Sequence, residues 1–450
     1  MNEVKKLMGL DDKKIMITSI ENEKIKGNNA KIINAISTIQ RIKCPVCNKY
    51  TSSVRDYLKP INSKYVKVAE YDCYLRITRK RFICRRCNKR IIEDVGIVRK
   101  GKSITNILEI KIRKDLLRPC YSIKDIAEIN NVSSDKVRNI LIEAMSDYPK
   151  YVKTLPDIIS LDEFKADTNE GKYAFIMNDP IRKRTLDILP SRKKGDLISY
   201  FDRVENRENV RYVISDMYET YLIITKIMFK NAKYVVDRFH YTEYIMNALD
   251  NIRIRLQKTY GYNSREYKLL KNKKNISLLR KHYNDINWYV YTKRYEHGRY
   301  VDKLTINILN EMLSINEELD RGYQLKELFL DIVEYDLTPE EAKIELESWI
   351  DLCIESEIEE FIEASKTINN WLEYICNSYI DRRFTNGYTE GLNNKIKVIK
   401  RNAYGYKNFD FFRLRLMYIF NGKISGKINK NEKRRCHQKS GEKANRKNKG

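Results

Sequence analysis

Four acidic side chains stand where carboxylates do metal chemistry: Asp162 inside an apolar, strand-like run, Asp216 and Asp237 at the ends of two further runs, and Glu390 at the start of a helical pattern. Carboxylates held side by side repel one another. A divalent cation is the usual compensation, and hard oxygen ligands select Mg²⁺ or Mn²⁺. Two such ions roughly 4 Å apart activate an attacking oxygen and stabilise a leaving one in an in-line phosphoryl transfer. The reading takes Asp162, Asp216 and Glu390 as the catalytic set. Asp237 rivals Asp216, since each ends a strand. His240, one of four histidines, follows Asp237 by three residues as an accessory active-site group or as a residue that only caps and packs. A second constellation is made of sulfur. Cys44-Pro-Val-Cys47 and Cys84-Arg-Arg-Cys87 together supply the ligands of a closed tetrahedral Zn²⁺ site, which leaves no position for water and is therefore structural.

The elements that must position the carboxylates are legible as a change from helical to strand period at Ile158. Ile158 to Phe164, Tyr173 to Asn178 and Arg184 to Leu189 read as a meander. A helical stretch from Gly195 to Val204, a strand from Val210 to Ser215, a helix from Tyr218 to Phe229 and a strand from Lys233 to Val236 follow. Three strands, helix, strand, helix, strand is the order of the ribonuclease-H-like fold. It places Asp162 on the first, central strand and Asp216 at the end of the neighbouring fourth, which is why Asp216 is preferred over Asp237. Downstream of Glu390, Asn394, Lys397 and Arg401 recur near its helical face, an acid followed by phosphate clamps.

Around the cysteine pairs, Tyr65 to Val68 and Tyr74 to Phe82 are rich in β-branched and aromatic residues and predict an antiparallel zinc ribbon. Cys73 reads as a packed residue and not a ligand. Arg81, Arg85 and Arg86 lie in a dense basic stretch suited to phosphate contacts. Next, Ser122 and Asp125 have capping-box spacing, Ser133 caps a second helix, and Asn131 sits where a left-handed turn residue is needed. This is the pattern of a helix-turn-helix, with Ser134, Lys136 and Arg138 on the groove-facing helix.

The whole chain carries 87 Lys and Arg against 61 Asp and Glu, a formal charge of +26, which points to a polyanionic partner. Nine cysteines, four of them in C-x-x-C pairs, suit metal binding in a reducing compartment. Met1 to Leu10 lacks a signal-peptide core and no stretch approaches about 18 apolar residues, so a cytoplasmic protein without membrane association is expected. The long segment between Asp237 and Glu390 reads as an all-helical insertion. Thr338-Pro-Glu-Glu341 opens one of its helices, an acidic run extends from Glu340 to Glu363, and Trp288 is either buried or a base-stacking residue. The tail from Gly422 is Lys- and Asn-rich without apolar period and reads as disordered, with Cys436-His437 lacking partners.

The expected organisation is a multidomain α+β protein. A zinc-ribbon domain spans 1–100 and a helix-turn-helix 101–150. A ribonuclease-H-like α/β core covers 151–240 and resumes at 381–421, with Glu390. The all-α insertion occupies 241–380 and a basic tail 422–450.

These residues resemble the ISL-three family of bacterial and archaeal insertion-sequence transposases, of the DDE class, over nearly the whole chain. The carriers are Cys44-Pro-Val-Cys47 with Val54-Arg-Asp-Tyr57, Arg81 to Cys87, Leu161-Asp-Glu-Phe164, Ser215-Asp216, Asn231-Ala232, Val236-Asp-Arg-Phe-His240, and Glu390 to Tyr406. The resemblance implies Asp162, Asp216 and Glu390 as the catalytic triad and a zinc-binding N-terminal domain that recognises terminal inverted repeats. It also implies movement of DNA without an RNA intermediate, and a homo-oligomer assembled on element-end and target DNA. Asp237-Arg-Phe-His240 resembles a D-x-x-H signature of related transposases. Ile91-Ile92-Glu93 departs from the family, where an aromatic is usual. Two rival functions are a DNA-binding protein that keeps an inactive nuclease-like domain, and a repair or RNA-processing nuclease on the same fold.

Overall fold

The computed structural model describes residues 9–10, 13–25, 27–287, 289–296 and 299–422. It divides into two compact units: Met1–Pro149 with Lys395–Gly450, and Lys150–Asn394.

The first unit is built on a six-stranded sheet. Strands β1 (Ile15–Ile25) and β2 (Asn28–Ser37) form an antiparallel hairpin, and the short pair β3 (Ile42–Lys43) and β4 (Tyr50–Thr51) follows. β5 (Val54–Leu58) and β6 (Asn62–Lys64) pair antiparallel with the long β7 (Asp72–Ile83), as does β8 (Arg90–Ile92), whereas β2 runs parallel to β7. Along β7 the buried positions alternate, so Cys73, Leu75 and Ile77 fill a core with Ile15, Ile17 and Ile33. Of the ribbon expected between the cysteine pairs, Tyr74 to Phe82 lies within β7 and pairs antiparallel, while the other half is corrected. Tyr65 to Val68 is not a strand: Ala69 turns left-handed at φ +51, Val68 bridges only to Tyr71, and Tyr65 is a buried core plug whose N–H donates to the Cys73 carbonyl. Its Tyr65-Val66-Lys67-Val68 run is that of a packed turn, and β5 and β6 take the pairing instead.

Helices α1 (Asn106–Asp115), α2 (Ile123–Ile129) and α3 (Ser134–Ala144) complete this part. Ser122 and Asp125 exchange side-chain-to-backbone bonds in a capping box, Ser133 caps α3 by accepting the Lys136 N–H, and Asn131 lies at φ +46. Ile126, Ala127, Val137 and Ile140 are buried.

The second unit carries a five-stranded sheet in the order β11-β10-β9-β12-β13, with β9 (Ile158–Thr168), β10 (Gly171–Asp179), β11 (Arg184–Leu189), β12 (Tyr212–Ser215) and β13 (Lys233–Val236). The first three are antiparallel; β12 joins β9 in parallel and β13 joins β12 in parallel. Helices α4 (Lys194–Phe201) and α5 (Glu219–Met228) make the crossovers. From Asp237 the chain enters α6 (Arg238–Thr259), then α7 (Arg265–Lys271), α8 (Lys273–Arg280), α9 (Thr305–Leu313), α10 (Glu317–Glu334), α11 (Pro339–Glu355), α12 (Glu359–Asn370) and α13 (Leu372–Cys376).

The all-helical expectation for this insertion is corrected by an antiparallel hairpin, β14 (Tyr291–Glu296) with β15 (Arg299–Leu304). Tyr291, Thr292, Tyr295, Tyr300 and Val301 are β-favouring residues, and this local preference overrides the helical surroundings. One continuous apolar core joins sheet and insertion, from Leu155 and Val213 through Ile252 to Phe361 and Cys376. Thr338 and Glu341 form the expected capping box with Pro339 in the first turn, and Trp349 is buried with its indole N–H on the Leu325 carbonyl at 2.8 Å. Part of the acidic run faces protein: Glu360, together with Glu318 from outside the run, holds Arg255. Trp288 and the tail from residue 423, with Cys436-His437, lie outside the described residues.

Helix α14 (Gly387–Asn402) contains the boundary between the units, so the segment 381–421 is shared between them. Helix α15 (Phe409–Phe420) belongs to the first unit and is locked there by Arg415. That side chain is fully buried and donates to the carbonyls of Leu116, Arg118 and Tyr121, while the Tyr418 hydroxyl donates to the Arg113 carbonyl at 3.0 Å. Removing a donor that serves several buried carbonyls costs about 1–3 kcal/mol for each one stranded. Arg415→Ala is therefore expected to destabilise the first unit by about 3 kcal/mol or more, read as a lower urea midpoint, with the second unit unaffected.

Candidate active site and cysteine centre

The parallel register pairs Ile214 with Ser160 and Ser215 with Val236. Carried past the strand ends, it brings Asp216 level with Asp162 on one side and with Asp237 on the other. Asp162 is 9% exposed and Asp237 3%, while Asp216 is half-buried. Hydrogen bonds fix the loop that carries Asp216: the Ser215 hydroxyl donates to the Leu161 carbonyl at 2.8 Å, and the Tyr234 hydroxyl to the Asp216 carbonyl at 2.6 Å.

The three aspartates do different things. Asp162 accepts the backbone N–H of Glu163 at 2.7 Å and the side-chain amide of Asn393 at 2.8 Å. Burial, and then the charge of Asp216, push its carboxyl up to about 7. Asp216 meets His240 Nε2 at 2.6 Å. Burial works against a charged imidazole there, but Asp216, Asp237 and Asp162 outweigh it and push His240 up to about 9. Asp237 precedes α6 and accepts the Asn386 backbone N–H at 2.9 Å; burial raises it above the usual carboxylate range. His240 thereby faces three aspartates, two of which, Asp162 and Asp237, are buried.

Helix α14 is pinned to the sheet by Thr389, whose buried hydroxyl lies 3.1 Å from that of Ser160 and accepts the Asn178 amide at 2.8 Å. Asn393 stands one turn further on, over Asp162. Glu390 is exposed, next to Thr389 and three residues before Asn393, hence on the adjoining stripe of the same helix. Among the described residues the carboxylates do not close into a cluster tight enough to share one ion. The donor set still fits a divalent cation, because Asp162 and Asp216 are adjacent, oxygen-bearing and repel one another.

Sequence reasoning missed Asn393, although the i+3 spacing from Glu390 could have found it. It also missed Glu163, which is held by Arg192 and by the Tyr221 hydroxyl at 2.8 Å; Arg192 in turn lies over the Tyr173 ring at 4.4 Å. That brace depends on contacts across distant parts of the chain and has no local sequence signal.

The cysteine centre is compact. The Sγ atoms of Cys44, Cys47, Cys84 and Cys87 all lie within 4.8 Å of one another, with Cys44 to Cys87 and Cys47 to Cys84 each at 3.5 Å. Zn–S bonds of about 2.3 Å in a tetrahedron require sulfur separations of roughly 3.8 Å, so the quartet fits that ion. Each pair is followed by a left-handed Asn, Asn48 at φ +57 and Asn88 at φ +54, whose N–H returns to the first cysteine's carbonyl. The Cys47 backbone N–H favours the Cys44 thiolate, holding it down at about 6. The Lys89 N–H favours the Cys87 thiolate, yet its sulfur neighbours hold Cys87 up at about 12. Four thiols so crowded cannot all ionise without a cation. Cys73 is buried elsewhere in the sheet.

The basic residues separate. Arg85 and Arg86 are exposed on the second knuckle, whereas Arg81 is tied to Asp56 at 3.0 Å. On α3, Ser134 and Lys136 are half-buried and Arg138 is exposed; Lys397 and Arg401 are exposed on α14. Among the described residues no helix is long and apolar enough to cross a membrane.

Residues 159–416, from β9 into α15, match a family model described as a transposase, which sets the class as DNA-processing proteins of the DDE type. The chain belongs to the ISL-three family of transposases. It is 22% identical over 361 residues to the "Transposase for insertion sequence element IS1001" of Bordetella parapertussis, covering 79% of this chain and 83% of that protein. It is also 46% identical over 52 residues to an "ATP-dependent protease" of Lactococcus lactis subsp. lactis, which is 12% of this chain and 16% of that protein, too short a stretch to carry a function.

Proposed function

We propose that the protein cuts DNA at the ends of an insertion sequence and joins the freed 3′ hydroxyl to target DNA, on a ribonuclease-H-like core. The observation that carries the reading is the buried Asp162 on the central strand level with Asp216 at the end of the adjoining parallel strand. Strand order β11-β10-β9-β12-β13, with β10 antiparallel, supports the fold assignment. Asp162, Asp216 and Glu390 would hold Mg²⁺ or Mn²⁺. Bound there, these ions supply charge neutralisation at the attacking and leaving oxygens.

The chain's own groups do the rest. Asn393 orients the Asp162 carboxylate through its amide, and His240 fixes Asp216. Asp237 ties the start of α6 to Asn386 ahead of the Glu390 helix. Cys44, Cys47, Cys84 and Cys87 hold a structural Zn²⁺. The α2–α3 pair is a helix-turn-helix that reads the terminal inverted repeats through Ser134, Lys136 and Arg138, while Arg85, Arg86, Lys397 and Arg401 contact phosphates, with copies assembling on DNA.

Asparagine substitution separates the two strand-end aspartates. Asp216→Asn is expected to lower Mg²⁺-dependent nicking of an inverted-repeat duplex by about a thousandfold or more, as for loss of a metal ligand. Asp237→Asn is expected to cost about tenfold, through the lost tie to Asn386. The reverse ranking would make Asp237 the ligand.

A further inference from the structure

Helix α14 ends in a turn, Ala403–Lys407, within the first unit. The Ala403 N–H returns to the Ile399 carbonyl at 3.2 Å and the Gly405 N–H to the Lys400 carbonyl at 2.9 Å, with Tyr404 left-handed at φ +53 and Gly405 at φ +94. A left-handed backbone costs a residue with a Cβ about 1 kcal/mol or more. The other left-handed non-glycine positions among the described residues are Asn48, Asn88, Asn131, Ala69, Asp167, Lys183 and Glu357, none of them aromatic. Tyr404 is also 100% exposed, whereas its neighbour Tyr406 stacks on Phe412 with ring centroids 4.5 Å apart. Folding uses the ring of Tyr406; neither packing nor backbone geometry accounts for an aromatic at 404.

The turn forms one wall of a groove of about 770 Å³ whose opposite wall includes Ser122, Lys124, Ser134 and Arg138. Phe411 of α15 lies under the Arg138 guanidinium at 5.8 Å, and that guanidinium also faces Asp135 on the exposed side of α3 at 3.4 Å. Between Glu390 and Asp410 the chain carries Lys395, Lys397, Lys400, Arg401 and Lys407 and no acid. The acids lining the groove are engaged: the Asp125 carboxylate accepts the Ser122 N–H, and Glu128 faces Lys124 at 3.8 Å. A free ring on a cationic rim matches a base or sugar flanked by phosphates.

We propose that the Ala403–Lys407 turn is a second DNA contact beside α2 and α3, in which Tyr404 lays its ring against a base or deoxyribose of the bound duplex while Lys407 and Arg138 take phosphates across the groove. The inference rests on the reading of α2–α3 as the DNA-binding pair.

The test is the affinity of the full-length protein for a labelled duplex carrying the inverted repeat that flanks its gene, by fluorescence anisotropy, with thermal melting alongside. Tyr404→Gly removes the ring and relieves the backbone. It is expected to weaken binding about 5- to 150-fold with the melting temperature unchanged or raised, while Tyr404→Trp binds within about threefold of the native protein. Lys136→Ala on α3 is the control for the parent reading. Native-like binding by Tyr404→Gly beside weakened binding by Lys136→Ala overturns this proposal alone; native-like binding by both overturns the α2–α3 reading as well. Weakened binding by Tyr404→Gly and Tyr404→Trp alike, with lowered melting, assigns Tyr404 a structural role and also overturns the proposal.

Discussion

Asp162→Asn is expected to leave a protein that melts higher than the native one at pH 8 in EDTA, yet nicks element-end DNA at least about a thousandfold more slowly. Both effects have one cause. Burial and the neighbouring Asp216 push the Asp162 carboxyl from 3.8 up to about 7. Between those values the folded protein keeps a proton that the unfolded chain has released, so stability falls as pH rises from roughly 4 through 7 and the whole penalty is present above 7. A shift of that size corresponds to at most about 4 kcal/mol. Asparagine carries no charge and escapes it, so the melting difference should shrink markedly at pH 5. On the proposed reading the same substitution would remove an oxygen ligand, which is why activity is expected to move the other way. Equal melting of the two proteins at both pH values would contradict this account of the site's electrostatics.

Loss of the cysteine centre is the second large effect. A structural zinc contributes about 10–16 kcal/mol of apparent folding free energy in small zinc modules, and here it would join two knuckles distant in sequence. Full-length Cys44→Ser, or native protein stripped by a strong chelator, is expected to lose bound zinc from one equivalent to none. The segment around β3, β4 and β8 should then become open to protease, and inverted-repeat binding should fall at least about a hundredfold. The continuous core of the second unit should survive as a protease-resistant piece, since the four cysteines belong to the first unit and none is a member of that core. A chelated protein that stays resistant around Cys44 would remove zinc from the account.

What could be read in the sequence follows from the range of the interactions concerned. The cysteine pairs, the Ser122–Asp125 box and the Thr338–Glu341 box are local, and local chemistry fixed them. The strand run from Ile158 to Val236 was legible because its period is clean and its crossovers are short. Tyr65 to Val68 misled because a buried turn and a strand share the same residue types, and the Ala69 conformation that separates them leaves no local mark. The β14–β15 hairpin was overlooked inside a helical stretch although its own residues favour strands. Asn393 sits 231 residues from the carboxylate it orients, and Arg415 serves carbonyls nearly 300 residues away. Pairings of that kind exist only in the folded chain. Tyr404 was visible as a residue, but its exposure and backbone angle belong to the structure.

The most direct measurement is strand cleavage by the full-length protein on a duplex that carries its flanking inverted repeat, with Mg²⁺, Mn²⁺ or EDTA, followed by transfer to a second DNA. The account predicts nicking at the repeat's end only with Mg²⁺ or Mn²⁺, joining of the new 3′ hydroxyl to the second DNA, and loss of both in Asp162→Asn, Asp216→Asn and Glu390→Gln. Specific, tight binding of the repeat by the native protein without any metal-dependent nicking would contradict it.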